Sequence, residues 1–263
     1  MRDPKPIADF IEQGVQEGKT TPPDFVGDKF VKSSYYGTAS RYQKLSSEQT
    51  YVSVRGPLFT ECYERYQIEL RGVEAFTTVL VPKRPAPGNP WMFRADPVDR
   101  DDPVCQALLA KGFSIVTGAV PYNADGPVIV QWNLIYEHLI GHGFSKKPVM
   151  AGVGGAAGEA YAWAIENPDK VSCIYAENPI LRSNTAKTQP LDHLDLLEKA
   201  GIPILHICSC DAPGLENNTL AAQKQYQQLG GNMEVIIENG NGYRPLLVQN
   251  PNAVVDFIAK AAR

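Results

Sequence analysis

Apolar positions along this chain fall into two textures. The runs YERYQIEL (Tyr63–Leu70) and AFTTVLVPK (Ala75–Lys83) are strand-like and are joined by Arg71-Gly72-Val73-Glu74. A short glycine-containing linker between two such runs predicts a hairpin. From Pro90 onward, short apolar runs alternate with stretches whose apolar residues recur at helical spacing. WMFRA, FSIVTGAV, PVMAGVG, VSCIYAEN, IPILHICS and MEVIIENG read as strands. PVCQALLAKG, IVQWNLIYEHLIGHG, AAGEAYAWAIENPD, LDHLDLLEKAG, TLAAQKQYQQLGG and AVVDFIAKAAR read as helices, several of them closed by glycine. Strands apolar on both faces, set between amphipathic helices, predict a doubly wound α/β fold. Its sheet is mostly parallel, with the antiparallel hairpin at its start. Residues 1–48 carry Pro22-Pro23, scattered charge and weak periodicity. They are expected to form an extension packed on the body, and residues 49–263 a single domain, since no repeat or linker divides them.

Composition narrows the function classes. Among 263 residues, 25 Lys and Arg stand against 29 Asp and Glu, a net charge of −4. That balance leaves no basic footprint for nucleic acid or an anionic membrane. No apolar run reaches the roughly 18 residues of a membrane span. The five cysteines, Cys62, Cys105, Cys173, Cys208 and Cys210, are odd in number and widely spread, which does not read as a disulfide framework. Cys208 and Cys210 lack the spacer of a redox or zinc motif, and neither a metal nor a cofactor is expected. MRDPKPIADF has no apolar signal region, and the compartment stays open between cytoplasm and export. His206, within ILHICS, reads as a satisfied interior histidine, and Trp91, Trp132 and Trp163 as core.

The most informative segment is PVMAGVGGAAGEAYAWAIENPDKV. A strand runs into Gly152-Val153-Gly154-Gly155-Ala156 and a helix starts at once, as at a G-x-S-x-G nucleophile elbow. With VLVPKRPAPGNPWMFRAD, ALLAKGFSIVTGAV, AGIPILHIC and GGNMEVIIENGNGYRP, this order of segments resembles the α/β-hydrolase family, in particular its bacterial esterase-like members. The resemblance covers about residues 60–263. It implies an α/β-hydrolase fold with a reduced lid, because only ILRSNTAKTQP follows VSCIYAENP.

It also implies a degenerate triad. The family's serine falls on Gly154 and its histidine on Tyr243, in Gly242-Tyr243-Arg244-Pro245. The acid falls near Asp211, in the shortened turn Ser209-Cys210-Asp211-Ala212-Pro213. The chain's four histidines, His138, His142, His193 and His206, all precede the Tyr243 turn. A Ser-His-Asp mechanism needs a nucleophile and a base within hydrogen-bond reach, so it is not expected here. Gly155 inherits the family's oxyanion-hole N–H, with a second donor expected near Ala95 and Asp96.

The strand ends bring Arg94, Asp96, Asp99, Arg100, Tyr122, Asn123, Asn178, Arg182, Asp211, Tyr243 and Arg244 toward that point. Arg94, Ala95, Gly154, Gly155, Ala156, Tyr122, Asn178, Arg182 and Arg244 are the candidate ligand-binding residues. Helix-opening N–H groups favour an anion, and Arg matches carboxylates through its planar fork. The expected partner is therefore a small anionic molecule, an organic or sugar acid. A homo-oligomer is left open. Tyr243, Asp211 and Glu159 are the candidate acid–base groups if the pocket performs lyase, isomerase or cyclase chemistry instead. Glu159 is expected in the first turn of the elbow helix. Two further readings are a partner-binding pseudoenzyme and, by fold analogy alone, a conventional esterase.

Overall fold

The computed structural model describes residues 30–32, 63–68, 77–98, 102–118, 127–182, 189–239 and 248–262. Its strands are β1 (Phe30–Lys32), β2 (Tyr63–Ile68), β3 (Thr77–Pro82), β4 (Trp91–Arg94), β5 (Ser114–Gly118), β6 (Val149–Val153), β7 (Cys173–Glu177), β8 (Ile204–Ser209) and β9 (Met233–Glu238). The helices are α1 (Pro103–Ala110), α2 (Pro127–Gly141), α3 (Gly155–Glu166), α4 (Leu194–Lys199), α5 (Ala221–Gln228) and α6 (Pro251–Ala261). All nine strands form one sheet in the order β1-β2-β3-β5-β4-β6-β7-β8-β9. The expected hairpin is present, with Tyr63 opposite Pro82 and Ile68 opposite Thr77. β3 also meets β5 antiparallel, and every pairing from β5 to β9 is parallel.

Two apolar layers cover the sheet. On one face Met92, Ile115, Tyr175 and Leu205 pack with Leu108 of α1 and Val254, Val255 and Ile258 of α6. On the other, Trp91, Phe93, Ile174 and Ile204 pack with Trp132 of α2, Trp163 of α3, Leu197 of α4 and Tyr226 of α5. The three tryptophans are fully buried, as their apolar contexts predicted. Local chemistry starts the helices. Asp102 caps α1 by accepting the Cys105 N–H, and Asn250 does the same for α6 with the Ala253 N–H; proline follows each cap.

Three elements differ from expectation. Phe30–Lys32 pairs antiparallel with β2, so the N-terminal segment contributes an edge strand to the sheet rather than only lying over it. The helix expected over LDHLDLLEKAG opens as a 3-10 turn, Pro190–His193, before α4. The helix expected from Thr219 begins earlier, as a π-helical turn over Leu215–Leu220. There Asn218 donates its side-chain amide to the Gly214 carbonyl while its Oδ1 accepts from Leu181 and Arg182. Side-chain bonds of this kind compete with regular helix pairing.

Strand order places the site. β4 lies between β5 and β6, so the chain leaves β4 in one direction and returns on its other side. Ligands of open α/β sheets bind at such a switch point, outside the carboxyl ends of the strands. Here that point is framed by Ala95-Asp96 after β4 and Gly154 after β6.

Candidate functional site at the strand-to-helix elbow

β6 passes into α3 through a single residue, Gly154, at φ 59° and ψ −121°. That backbone state belongs to the first central position of a type II′ turn and favours glycine. The glycine before it is required for another reason. A Cβ at Gly152 would lie 2.6 Å from the Ala157 nitrogen and 2.7 Å from the Ala156 carbonyl carbon. The helix thus rests directly on the strand it leaves.

Gly154 donates its N–H to the Glu177 carbonyl and accepts from the Ile180 N–H, both at 2.9 Å. No side chain caps α3, and among the described residues no acceptor faces the Gly155 N–H. Gly155 is half-buried, whereas Ala156 is buried. The elbow can therefore offer a backbone N–H to an incoming oxygen at Gly155, the position expected from sequence.

Arg94 does not sit at the mouth. It is 5% exposed, and its guanidinium is held by three carboxylates. Nε donates to Asp96 at 3.2 Å, one terminal nitrogen bonds Asp102, and the other lies 3.7 Å from Glu177. The charge that ends this apolar strand is thus paired within the protein. Arg94 is thereby corrected from ligand contact to internal counter-ion. Ala95 is corrected as well, because its N–H extends the β4–β6 ladder to the Ala151 carbonyl at 2.9 Å. Asp96 closes the switch point by accepting from the Val153 N–H at 3.1 Å.

Sequence reading missed Glu177 and Asp102. The signal was present, since VSCIYAE ends in a charge as WMFR does. Glu177 is 5% exposed and accepts the Tyr175 hydroxyl at 2.8 Å. Burial lifts its carboxyl to about 7, with Arg94 pulling it down and Asp102 opposing Arg94. The long contact to Arg94 explains why the pull is incomplete.

Other expected site residues are largely engaged by the protein. The Asn178 side-chain Oδ1 accepts the Ser209 N–H at 2.9 Å, and its backbone is left-handed at φ 41°. Arg182 is exposed and pairs with Asp192 at 2.8 Å. Asp211 is exposed and accepts the Ser209 hydroxyl. Glu159 lies beyond the first turn of α3 rather than within it, and burial raises its carboxyl to about 7. Tyr122, Tyr243 and Arg244, with Asp99, Arg100 and Asn123, lie outside the described residues, as do residues 183–188 of the expected reduced lid.

His206 is fully buried between the Tyr161 hydroxyl and Thr219, and burial pushes its imidazole down to about 3. It is an interior histidine, as expected. Among the described residues no cluster of His, Cys, Asp and Glu could hold a metal ion.

The strand order, the hairpin and the tight strand-to-helix turn after β6 are those of an α/β-hydrolase fold. Solved structures agree. MPT51 (FbpC1) of Mycobacterium tuberculosis superposes with a TM-score of 0.59 at 15% identity, over 76% of this chain and 99% of that one. Est1E from Butyrivibrio proteoclasticus gives 0.52 at 13% identity, over 74% and 96% of the two chains. An arylesterase gives 0.54 at 12%, over 76% and 84%. No family model matches the sequence, and no curated protein matches it.

Proposed function

We propose that this chain is an α/β-hydrolase-fold protein that binds a small organic or sugar acid at its elbow without Ser-His-Asp hydrolysis. The observation that carries this reading is Gly154. It occupies the sharp turn between β6 and α3, where the fold presents its nucleophile, and it has no side chain to activate. Tyr243 stands where the family's histidine would fall, and a phenol is a poor base at neutral pH. What remains is the uncapped start of α3. A carboxylate oxygen placed on the Gly155 N–H would gain from the helix terminus without needing Arg94. The small anionic ligand thus binds chiefly through backbone.

A second reading is favoured by Glu159. A half-buried carboxyl raised to about 7 on the elbow helix can hold or release a proton near neutrality. With Asp211 and Tyr243 it would serve lyase, isomerase or cyclase chemistry on the same ligand.

The test begins with p-nitrophenyl acetate. The protein is expected to show no turnover above a heat-denatured control, and Gly154→Ser alone is expected not to restore any. Robust turnover by the unmodified chain overturns the reading. A thermal-shift series with uronic, hydroxy and aromatic acids follows. A ligand at a hundred times its Kd adds about 2.7 kcal/mol of apparent stability. Turnover of the stabilising acid, lost in Glu159→Gln with binding retained, selects the second reading over the first.

A further inference from the structure

A cavity of about 330 Å³ opens between the turn after β7 and the π-helical turn after β8. It borders the elbow through Ile180, whose N–H donates to the Gly154 carbonyl. Its apolar lining comes from Pro179, Ile180, Pro213 and Leu215, and its most deeply buried lining groups are Cys208 and Thr219, each 1% exposed. No charged side chain is among the described residues that line it. The Asn218 side-chain Oδ1 at its edge is committed to the Leu181 and Arg182 N–H groups at 2.7 and 3.0 Å.

Behind the cavity runs a chain of exchangeable protons. The Tyr161 hydroxyl lies 2.7 Å from His206 Nε2, His206 Nδ1 lies 3.2 Å from Thr219 Oγ1, and Thr219 Oγ1 lies 3.0 Å from Cys208 Sγ. A neutral imidazole has one donor and one acceptor nitrogen, so the two His206 contacts run in one direction or the other. Tyr161 is fully buried, and His206 is the one acceptor within its reach among the described residues. Burying its O–H unpaired would be costly, so Tyr161 donates to Nε2. Nδ1–H then donates to Thr219, whose own O–H has Cys208 Sγ as its remaining acceptor among the described residues. A buried hydroxyl left unpaired costs more than an unpaired thiol, so Thr219 donates to Cys208. The thiol proton of Cys208 is left at the end of the chain with no acceptor inside it, at the cavity wall.

We infer that this cavity is a binding site for an uncharged, chiefly apolar small molecule whose single acceptor atom receives the Cys208 S–H. A volume near the lower end of ligand pockets, which run from about 300 Å³, suits an aryl ketone or ether of modest size. Among the described residues the lining carries no charge to pair with an acid. The site is distinct from the Gly155 N–H, and the inference stands whether or not that N–H binds an acid.

Acetophenone, ethylbenzene and benzoate probe it, because they share a ring and differ in acceptor and charge. Titrated by ligand-observed NMR, acetophenone is expected to bind about fivefold more tightly than ethylbenzene, the scale of one weak hydrogen bond. Benzoate is expected not to displace it. Ala212→Phe, which fills the lining, abolishes acetophenone binding, and Cys208→Ala removes its advantage over ethylbenzene. Should Ala212→Phe fail to fold, alkylthiolation of Cys208 by methyl methanethiosulfonate, read by peptide mapping, is slowed by acetophenone in the unmodified chain. The inference is overturned if millimolar acetophenone neither binds nor protects Cys208. It is equally overturned if benzoate displaces acetophenone, if binding survives Ala212→Phe, or if Cys208→Ala keeps the acetophenone preference.

Discussion

Arg94 shows how one residue can be read correctly in kind and wrongly in use. Its position at the end of a buried strand demands compensation, and Asp96, Asp102 and Glu177 supply it within the protein. Arg94→Met would leave buried Glu177 and half-buried Asp96 and Asp102 without their cation. Removing one partner of a buried ionic cluster costs about 3–5 kcal/mol, and urea denaturation of the variant should show a loss of that size. A loss under about 1 kcal/mol would mean that the acids are solvated or protonated without Arg94. Gly154 is the converse case, a residue whose importance lies in what it lacks. Its φ of 59° is a state glycine enters freely, so folding gives no reason to place a larger side chain there.

The elbow as an element depends on contact between backbones. α3 packs on β6 so closely that even a methyl group at Gly152 meets helix backbone rather than a movable side chain. Gly152→Ala must therefore push α3 away from the sheet. Overpacking of this kind costs about 1–3 kcal/mol. The shift should appear as a lowered urea midpoint together with loss of stabilisation by any acid bound at Gly155. Full stability and unchanged ligand response would show that the elbow can relax without moving the N–H groups that open the helix. The turn after β8 illustrates a different control. Asn218 ties the π-helical segment to Leu181 and Arg182, so the two loops that flank the cavity hold each other in place.

At the scale of the whole molecule, two buried groups set opposing pH dependences. Glu177 keeps its proton in the folded chain up to about 7, whereas its ordinary value is 4.5. Between those values the unfolded chain has lost a proton that the folded chain retains, so this contribution to stability fades as pH rises. His206 acts in the other direction. Its folded value of about 3 lies below the ordinary 6.5, so stability is lost as pH falls below 6.5. Glu159, raised to about 7, adds to the trend set by Glu177. Glu177→Gln removes one of these contributions and leaves the rest. The variant's stability relative to the parent should therefore be greater at pH 8 than at pH 5 in paired urea titrations. A constant difference across that range would show that Glu177 ionises at its ordinary value in the folded chain.

The elements of this fold were legible along the chain because they rest on local rules. A short apolar run such as FSIVTGAV, closed by glycine on one side and set between amphipathic stretches, reads as a strand buried on both faces, and the glycines of GVGGAAG permit a turn too sharp for other residues. The α/β alternation, the hairpin, the elbow at Gly154 and the interior place of His206 all followed from period and turn chemistry. The partners of Arg94, the commitment of the Ala95 N–H and the proton chain ending at Cys208 did not. Each depends on which strand ends lie side by side. β4 sits beside β6 rather than β3, and the turn after β7 meets the one after β8. Hydrophobic period specifies what a segment becomes, whereas the pairing of charges and donors is decided only when the assembled sheet brings distant carboxylates, carbonyls and hydroxyls within 3 to 4 Å of one another.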